Sequence, residues 1–325
     1  MTPPTWQLHD PTFEADGLNP ALAVSPWSGH RGFAYDWLAF MRPRRVVELG
    51  THYGCSLFAF AQAVKDLGLP TELVAIDTWE GDDHAGRYDD SVHALVTRTV
   101  ATCFPEVPLQ LRRETFAAAR PAFAPGSVDV LHIDGLHTLE AVTADYEGWR
   151  DAVAPDGVVF FHDVAPDTGY GSATFWASLK AHHPHLEFLA HSFGLGVLFP
   201  RGDRWLRALQ EAGATPWLSL YRHRAEARLF ARQLADRDAQ LAERWAVMQR
   251  MEAMVADRDT ALAGQARLLE ERWAVMQRME AMIADRDAAL AGQARLLEER
   301  WAVMQHMEAL IAERDAALAA REAAP

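Results

Sequence analysis

The chain has 325 residues, half of them hydrophobic and 23% charged, an ordinary globular composition that excludes wholesale disorder. Its net charge is −14, concentrated in residues 1–200, which hold 25 acidic against 12 basic residues (net −13), while 201–325 hold 20 against 19 (net −1). An acidic front half excludes nonspecific nucleic-acid or anionic-lipid binding and suits a metal cation or a cationic ligand. No stretch approaches the ~20 apolar residues of a transmembrane segment. The N-terminus has no basic segment followed by an apolar one, so no signal peptide is expected. Two cysteines, Cys55 and Cys103, make no disulfide framework and suit reduced thiols in a cytoplasmic protein.

In chain order, Arg45–Gly50 reads as a short buried strand ending in a turn, and the helical run Leu57–Lys65 follows. Glu72–Asp77 is a second strand ending in an acid, 27 residues beyond Gly50, about one strand–helix–strand unit. A third strand precedes Glu114. Ser127–Asp134 is a strand, Thr138–Val153 a helix, Ala154–Gly157 a turn and Val158–Asp163 another buried strand. Leu186–Ala190 and Gly196–Phe199 suit a closing antiparallel pair. The alternation predicts an α/β fold with a doubly wound, Rossmann-like parallel sheet. In such sheets ligands sit beyond the carboxyl ends of the strands, where Glu48, Gly50, Asp77, Asp134, His162 and Asp163 fall.

The loop after the first strand reads Gly-x-x-x-Gly and lacks the closely spaced glycines of dinucleotide binders. A phosphate-binding lysine motif is also absent, and Lys65 and Lys180 are the chain's two lysines. A cationic nucleoside such as S-adenosylmethionine fits the acidic loop better than a phosphate. Gly50 and Gly54 let the backbone approach a ligand, and Asp77 can accept hydrogen bonds from ribose hydroxyls.

After Pro216 no proline occurs until Pro325, and helix formers dominate. Residues 243–270 recur at 271–298 with two changes, Val255 to Ile283 and Thr260 to Ala288, and a third, divergent copy begins at Glu299. The 28-residue period is four heptads. One heptad column from Leu234 to Leu318 is apolar at all 13 positions. This pattern predicts a long left-handed coiled coil, against the alternative of a single helix laced by charge pairs. The expected division is a catalytic-type domain over 1–202 (core 30–200), a linker over 203–222 and a helical tail over 223–325. The tail is expected to form a parallel homo-oligomer through 223–322.

The segments VVELGTHYGCS (46–56), AIDTWEGDDHAG (75–86), LHIDGLHTLEAV (131–142) and GVVFFHDV (157–164) resemble class I S-adenosylmethionine-dependent methyltransferases. They are most similar to the bacterial branch of macrolide-sugar and antibiotic O-methyltransferases and of methyltransferase modules from surface-polysaccharide clusters. The resemblance covers roughly residues 30–200. It implies that Glu48, Gly50 and Gly54 border the methionine part of the cofactor. It also implies that Asp77 holds the ribose and that Thr78, Trp79, Glu114 and Thr115 lie near the adenine. Metal-dependent relatives place one acid after the fourth strand and an acidic pair after the fifth. Asp134 matches the first position and His162-Asp163 occupies the pair, implying a divalent cation, Mg²⁺ or Mn²⁺, with the histidine as a departure that also admits Fe²⁺ or Zn²⁺. His137 and Asp134 are the expected catalytic pair, with His137 taking a proton. Asp134 has a second reading as a helix cap, and His132 reads as a structural histidine. Glu80, Asp82 and Asp83 read either as a lid edge or as a solvated loop, and His84 as a solvated loop residue.

The implied function is O-methylation of a small-molecule or glycan hydroxyl acceptor. Some O-antigen-terminating enzymes place a methyltransferase before a long coiled coil, and the arrangement here looks similar. The alternative is a coiled-coil scaffold of a polysaccharide-biosynthesis assembly whose front domain binds cofactor without turnover.

Overall fold

The computed structural model describes residues 5–82 and 86–322. Asp83 and His84, two of the loop residues considered above, lie outside the described residues, as does the side chain of Asp82. The chain divides into two units, Met1–Asp236 and Arg237–Pro325.

In the first unit, three short 3₁₀ turns (Glu14–Gly17, Pro20–Val24, Ser28–His30) lead into α1 (Arg31–Met41). Then come β1 (Arg45–Leu49), α2 (Cys55–Leu67), β2 (Glu72–Asp77), a small pair β3 (Gly81–Asp82) and β4 (Gly86–Arg87), α3 (Asp90–Cys103), β5 (Leu109–Arg113) and α4 (Phe116–Ala119). They are followed by β6 (Val128–Ile133), α5 (Leu139–Trp149), β7 (Val153–His162), α6 (Gly171–Lys180), β8 (His185–Phe188), β9 (Leu195–Leu198), α7 (Arg204–Glu211) and α8 (Thr215–Glu322). Seven strands form one sheet in the order β5-β2-β1-β6-β7-β9-β8. The first five are parallel neighbours, and β9 joins β7 and β8 antiparallel.

Alternate strand residues feed two cores, as the period of two requires. Val46, Ala75, Val130 and Phe160 face one side, with Trp37 of α1 and Phe60 of α2. Val47, Ile76, Leu131 and Phe161 face the other, with Trp149 of α5 and Trp176 of α6. Truncating a fully buried aromatic such as Trp37 or Trp149 to alanine costs about 3–5 kcal/mol.

Two details differ from the sequence expectation. Ala154–Gly157 is not a free turn but part of β7, which shifts register against β6 there, with Asp156 at φ 59. Residues 203–222 are not an open linker. They hold α7 and the start of α8, and Tyr221 and Leu209 are buried. The Tyr221 hydroxyl donates to Asp36, which also accepts from the His9 backbone N–H, while Arg224 donates to the His9 carbonyl (2.7 Å) and Arg228 to Asp10 (2.7 Å). The base of α8 is thereby bonded to the N-terminal segment and α1.

The second unit continues α8, and every described side chain from Arg237 to Ala319 is exposed. Its heptad column is open to solvent, with Leu241 60% and Leu290 53% exposed. Among the described residues no helix is long and apolar enough to cross a membrane.

Candidate active site

The carboxyl ends of β1, β2, β6 and β7 open into a cavity of about 920 Å³. Gly50 and Gly54 line the turn into α2 at φ 91 and 84, where a side chain would be strained. A Cβ at Gly50 would also fall 2.1 Å from the Asp134 carbonyl oxygen, so only glycine lets this loop lie against the end of β6. Asp77 closes the same turn from β2. Its Oδ2 accepts the Thr51 and His52 backbone N–H groups (2.8 and 2.9 Å) and its Oδ1 that of Trp79 (2.7 Å). A carboxylate offers about four acceptor directions, so Asp77 keeps about one for a ligand hydroxyl.

Thr78 and Thr115 line the cavity beside Phe116. Four other expected cofactor residues do not line it, among them Gly54, where a Cβ would meet the Phe58 ring at 2.7 Å. Trp79 adopts φ 52, is fully buried, and donates its indole N–H to the His52 carbonyl (3.0 Å). Glu114 turns to Arg112 (2.7 Å). Glu48 is 1% exposed and meets Nδ1 of His132 (3.0 Å), whose Nε2 accepts the Trp27 indole N–H (3.1 Å). His132 is thus partnered on both nitrogens.

At the end of β6 and β7, Asp134, His162 and Asp163 bring one ligand atom each within 4.8 Å of one another. Asp163 sits at φ 59, a left-handed residue that ends β7. His162 Nδ1 lies 3.2 Å from Asp134 Oδ1 and 3.0 Å from Asp163 Oδ2. Its Nε2 donates to the Ser192 carbonyl (2.9 Å), which turns Nδ1 to the two carboxylates: protonated, it donates to them, and deprotonated, it could ligate a cation. His137 Nε2 reaches Asp163 (2.8 Å) and approaches Asp134 (3.7 Å), and Tyr170 lies against its ring (centroids 5.0 Å apart). Two oxygen donors and one imidazole, held at fixed positions, fit a divalent cation. The helix-cap reading of Asp134 is unnecessary, because Thr138 caps α5 by accepting the Ala141 N–H (3.2 Å).

The electrostatics follow from this geometry. Burial alone would raise the Asp134 carboxyl, but the His162 charge and hydrogen bonds from His137 and His162 hold it well below the usual range. Asp163 is lowered in the same way, by hydrogen bonds from His137 and His162 against the effect of burial. Burial lowers His162 and His137, yet the two carboxylates outweigh it and push them up to about 10 and about 9. Without a cation His137 is therefore charged at neutral pH, unlike the poised base expected from its free value.

Sequence reasoning missed Trp27, Ser192 and Tyr170. Trp27 lines the cavity 6.2 Å from the His162 ring and lies N-terminal to the resemblance. Ser192 acts through its carbonyl, which has no side-chain signature. Gly171 and Ser172 were signals within reach: their N–H groups donate to the His137 carbonyl (2.8 and 3.3 Å), and the Ser172 hydroxyl donates to that of Asp163 (2.7 Å).

A family model described as a methyltransferase domain matches residues 47–164. The chain is 43% identical over 177 residues to the uncharacterized protein y4gI of Sinorhizobium fredii (strain NBRC 101917 / NGR234), covering 54% of this chain and 19% of that protein. It thus spans about one fifth of the length of the curated relative it matches. Among solved structures, a methyltransferase from Geobacter sulfurreducens is 14% identical with TM-score 0.45, covering 60% of this chain and 93% of that one. An O-methyltransferase from Bacillus cereus in complex with SAH is 14% identical with TM-score 0.41, covering 58% and 92%. Residues 47–164 thus match a methyltransferase domain, carried on a seven-stranded Rossmann-like sheet.

Proposed function

We propose that the chain is an S-adenosylmethionine-dependent, divalent-metal-assisted O-methyltransferase acting on a sugar or related hydroxyl acceptor. One observation carries this reading: Asp134, His162 and Asp163 converge in the same cavity that the Gly50–Gly54 loop, Asp77 and Thr115 line. The cofactor supplies a methyl group on a sulfonium, and a cation held by Asp134, His162 and Asp163 would lower the pKa of an acceptor hydroxyl.

The remaining work falls to the chain. Gly50, Asp77, Thr78 and Thr115 bind and orient the cofactor so that oxygen, carbon and sulfur align, which is most of what methyl transfer requires, and Gly54 shapes the turn that carries Gly50. Ser192 keeps His162 in the ligating tautomer. His137 Nε2 is assigned to receive the acceptor's proton, with Asp163 at 2.8 Å to stabilise the resulting charge. A cation held by Asp134 and Asp163 would offset part of the carboxylate charge that raises His137, returning it towards a base while Asp163 still orients its ring. Trp27 excludes water on the acceptor side.

The tail is assigned to assembly as a parallel homo-oligomer through 223–322, with the domains read as 1–202, a connecting segment 203–222 that packs on the front domain, and 223–325, whose first residues stay bonded to that domain. Two unpaired cysteines suit a cytoplasmic setting. The exposed heptad column also favours the second reading, a scaffold whose front domain binds cofactor without turnover. Calorimetry with S-adenosylmethionine, with and without Mg²⁺ or Mn²⁺, combined with labelled-methyl transfer, tests both. Binding with metal-dependent transfer supports the enzyme, binding without transfer to any hydroxyl acceptor supports the scaffold, and no binding removes both.

A further inference from the structure

A second cavity, about 910 Å³, lies beside the first and is bounded by the N-terminal segment, the loop 189–193 and the base of α8. Each cavity alone has the size of a full ligand site. Ser25, Pro26 and Phe193 line both. Phe193 is 49% exposed and sits in a run of three left-handed residues, Ser192, Phe193 and Gly194, at φ 51, 57 and 88. Such a run is strained at its two non-glycine positions. The same turn aims the Ser192 carbonyl at His162, so the wall between the cavities is also part of the Asp134 site.

The chemistry of the second cavity differs from that of the first. Four arginines and four acids line it, so it is neutral inside a strongly acidic domain. The arginines are already engaged: Arg31 grips Asp16 through two bonds (2.6 and 2.8 Å), Arg228 bonds Asp10 and Arg224 the His9 carbonyl. A phosphate or a polyanion would meet four carboxylates there. Fixed Arg–Asp pairs instead present donors and acceptors side by side, the pattern that adjacent hydroxyls of a sugar ring satisfy. Phe13 and Tyr221 complete the wall, the Phe13 face covered by the Arg31 guanidinium (3.9 Å from the ring centroid) and Tyr221 buried.

We infer that the acceptor is an extended, neutral polyhydroxyl chain whose reacting end lies beside Asp134 and whose continuation crosses Phe193 into the second cavity. This rests on the O-methyltransferase reading and narrows its acceptor from a single sugar to an oligosaccharide.

The test uses the full chain with Mn²⁺, labelled S-adenosylmethionine and neutral oligosaccharides graded from mono- to hexasaccharide. KM is expected to fall by about tenfold or more as the acceptor lengthens, the worth of one or two charge-assisted hydrogen bonds. Arg228→Ala should collapse that length dependence. Because Arg228 also holds Asp10, Leu229→Trp, which fills the cavity from an exposed position, provides a second variant. Cofactor affinity reports that each variant is folded. Length-independent KM in the parent, or length dependence kept by both variants, overturns the inference and leaves the methyltransferase reading intact. Transfer to no glycan of any length overturns the sugar acceptor itself, and the inference with it.

Discussion

The front domain and the tail contain similar apolar side chains and treat them in opposite ways. Leu49, Ile76 and Leu131 are sealed between sheet and helices, whereas Leu262, Ile283 and Leu290, on a regular helix, are about half exposed. The front domain satisfies its hydrophobic residues within one chain. The tail carries a seam that one chain cannot bury, and burying a Leu or Ile contributes roughly 1.5–3 kcal/mol. Chemistry and assembly are therefore expected to be separable by mutation.

The largest effect is expected in the tail. Ile283→Asp with Leu290→Asp places unpaired charges in the seam, costing several kcal/mol per copy in any assembly. Light scattering should show the full chain as an oligomer and the double variant as smaller, with cofactor affinity kept. A truncation should follow Asp236 rather than residue 222, since Arg224 and Arg228 hold the N-terminal segment. A monomeric parent, or an oligomer undiminished by truncation, would refute the coiled coil.

Next comes the site. Asp163→Asn should reduce methyl transfer by at least about a hundredfold, the scale of lost metal-assisted stabilisation, with oligomer mass unaltered. Chelation should do the same to the parent, and Mn²⁺ should restore it. Full transfer by metal-stripped parent protein sinks the metal role.

Asp77→Asn should weaken cofactor binding by about tenfold. Asparagine keeps one acceptor oxygen and sets an amide N–H₂ against the backbone N–H groups of either Thr51 and His52 or Trp79, so the loop shares in that effect. Unchanged affinity in calorimetry would remove Asp77 from the cofactor site.

The smallest effect concerns pH. Burial raises the Asp145 carboxyl to about 7. A carboxyl raised on folding contributes most below its unfolded value near 4 and loses that contribution as pH rises through about 7. Asp145→Asn should therefore stabilise the front domain at pH 8 by about 1–2 kcal/mol, a figure reduced for partial exposure, and by less at pH 5. Equal gains in melting temperature at both pH values would contradict the shift. Assembly should not respond.

Much of this was readable from residues whose pattern and position carry the same information. β2 runs from Glu72 to Asp77 as read, and β1 and β6 fall within a residue of expectation, because short apolar runs ended by acids or glycine mark buried parallel strands. That Asp134, His162 and Asp163 come together was legible because strand ends share one edge of the sheet. Trp79 was not, since a single left-handed turn at φ 52 sends its indole beneath the loop rather than into the cavity. The turn of Glu48 away from the cavity was equally hidden: its partner His132 comes from a neighbouring strand, paired at Glu48↔His132. The N-terminal wall was invisible because 3₁₀ turns have no 3.6-residue period, and Trp27 finds its place only by packing against His132 (ring centroids 5.3 Å apart).

The central position of β1 carries a further consequence for how the chain is made. Val46 pairs with Leu73 on one side but with Val130 on the other. During synthesis the first partner emerges soon after β1, and the second only after the whole β2–β5 stretch. Over that interval one edge of an apolar strand is unpaired, a template for joining other nascent chains. Nascent chains stopped before Val128 are expected to sediment as aggregates, and chains extended past Ile133 to remain dispersed. Equal dispersal of the two would show that another part of the chain shields that edge.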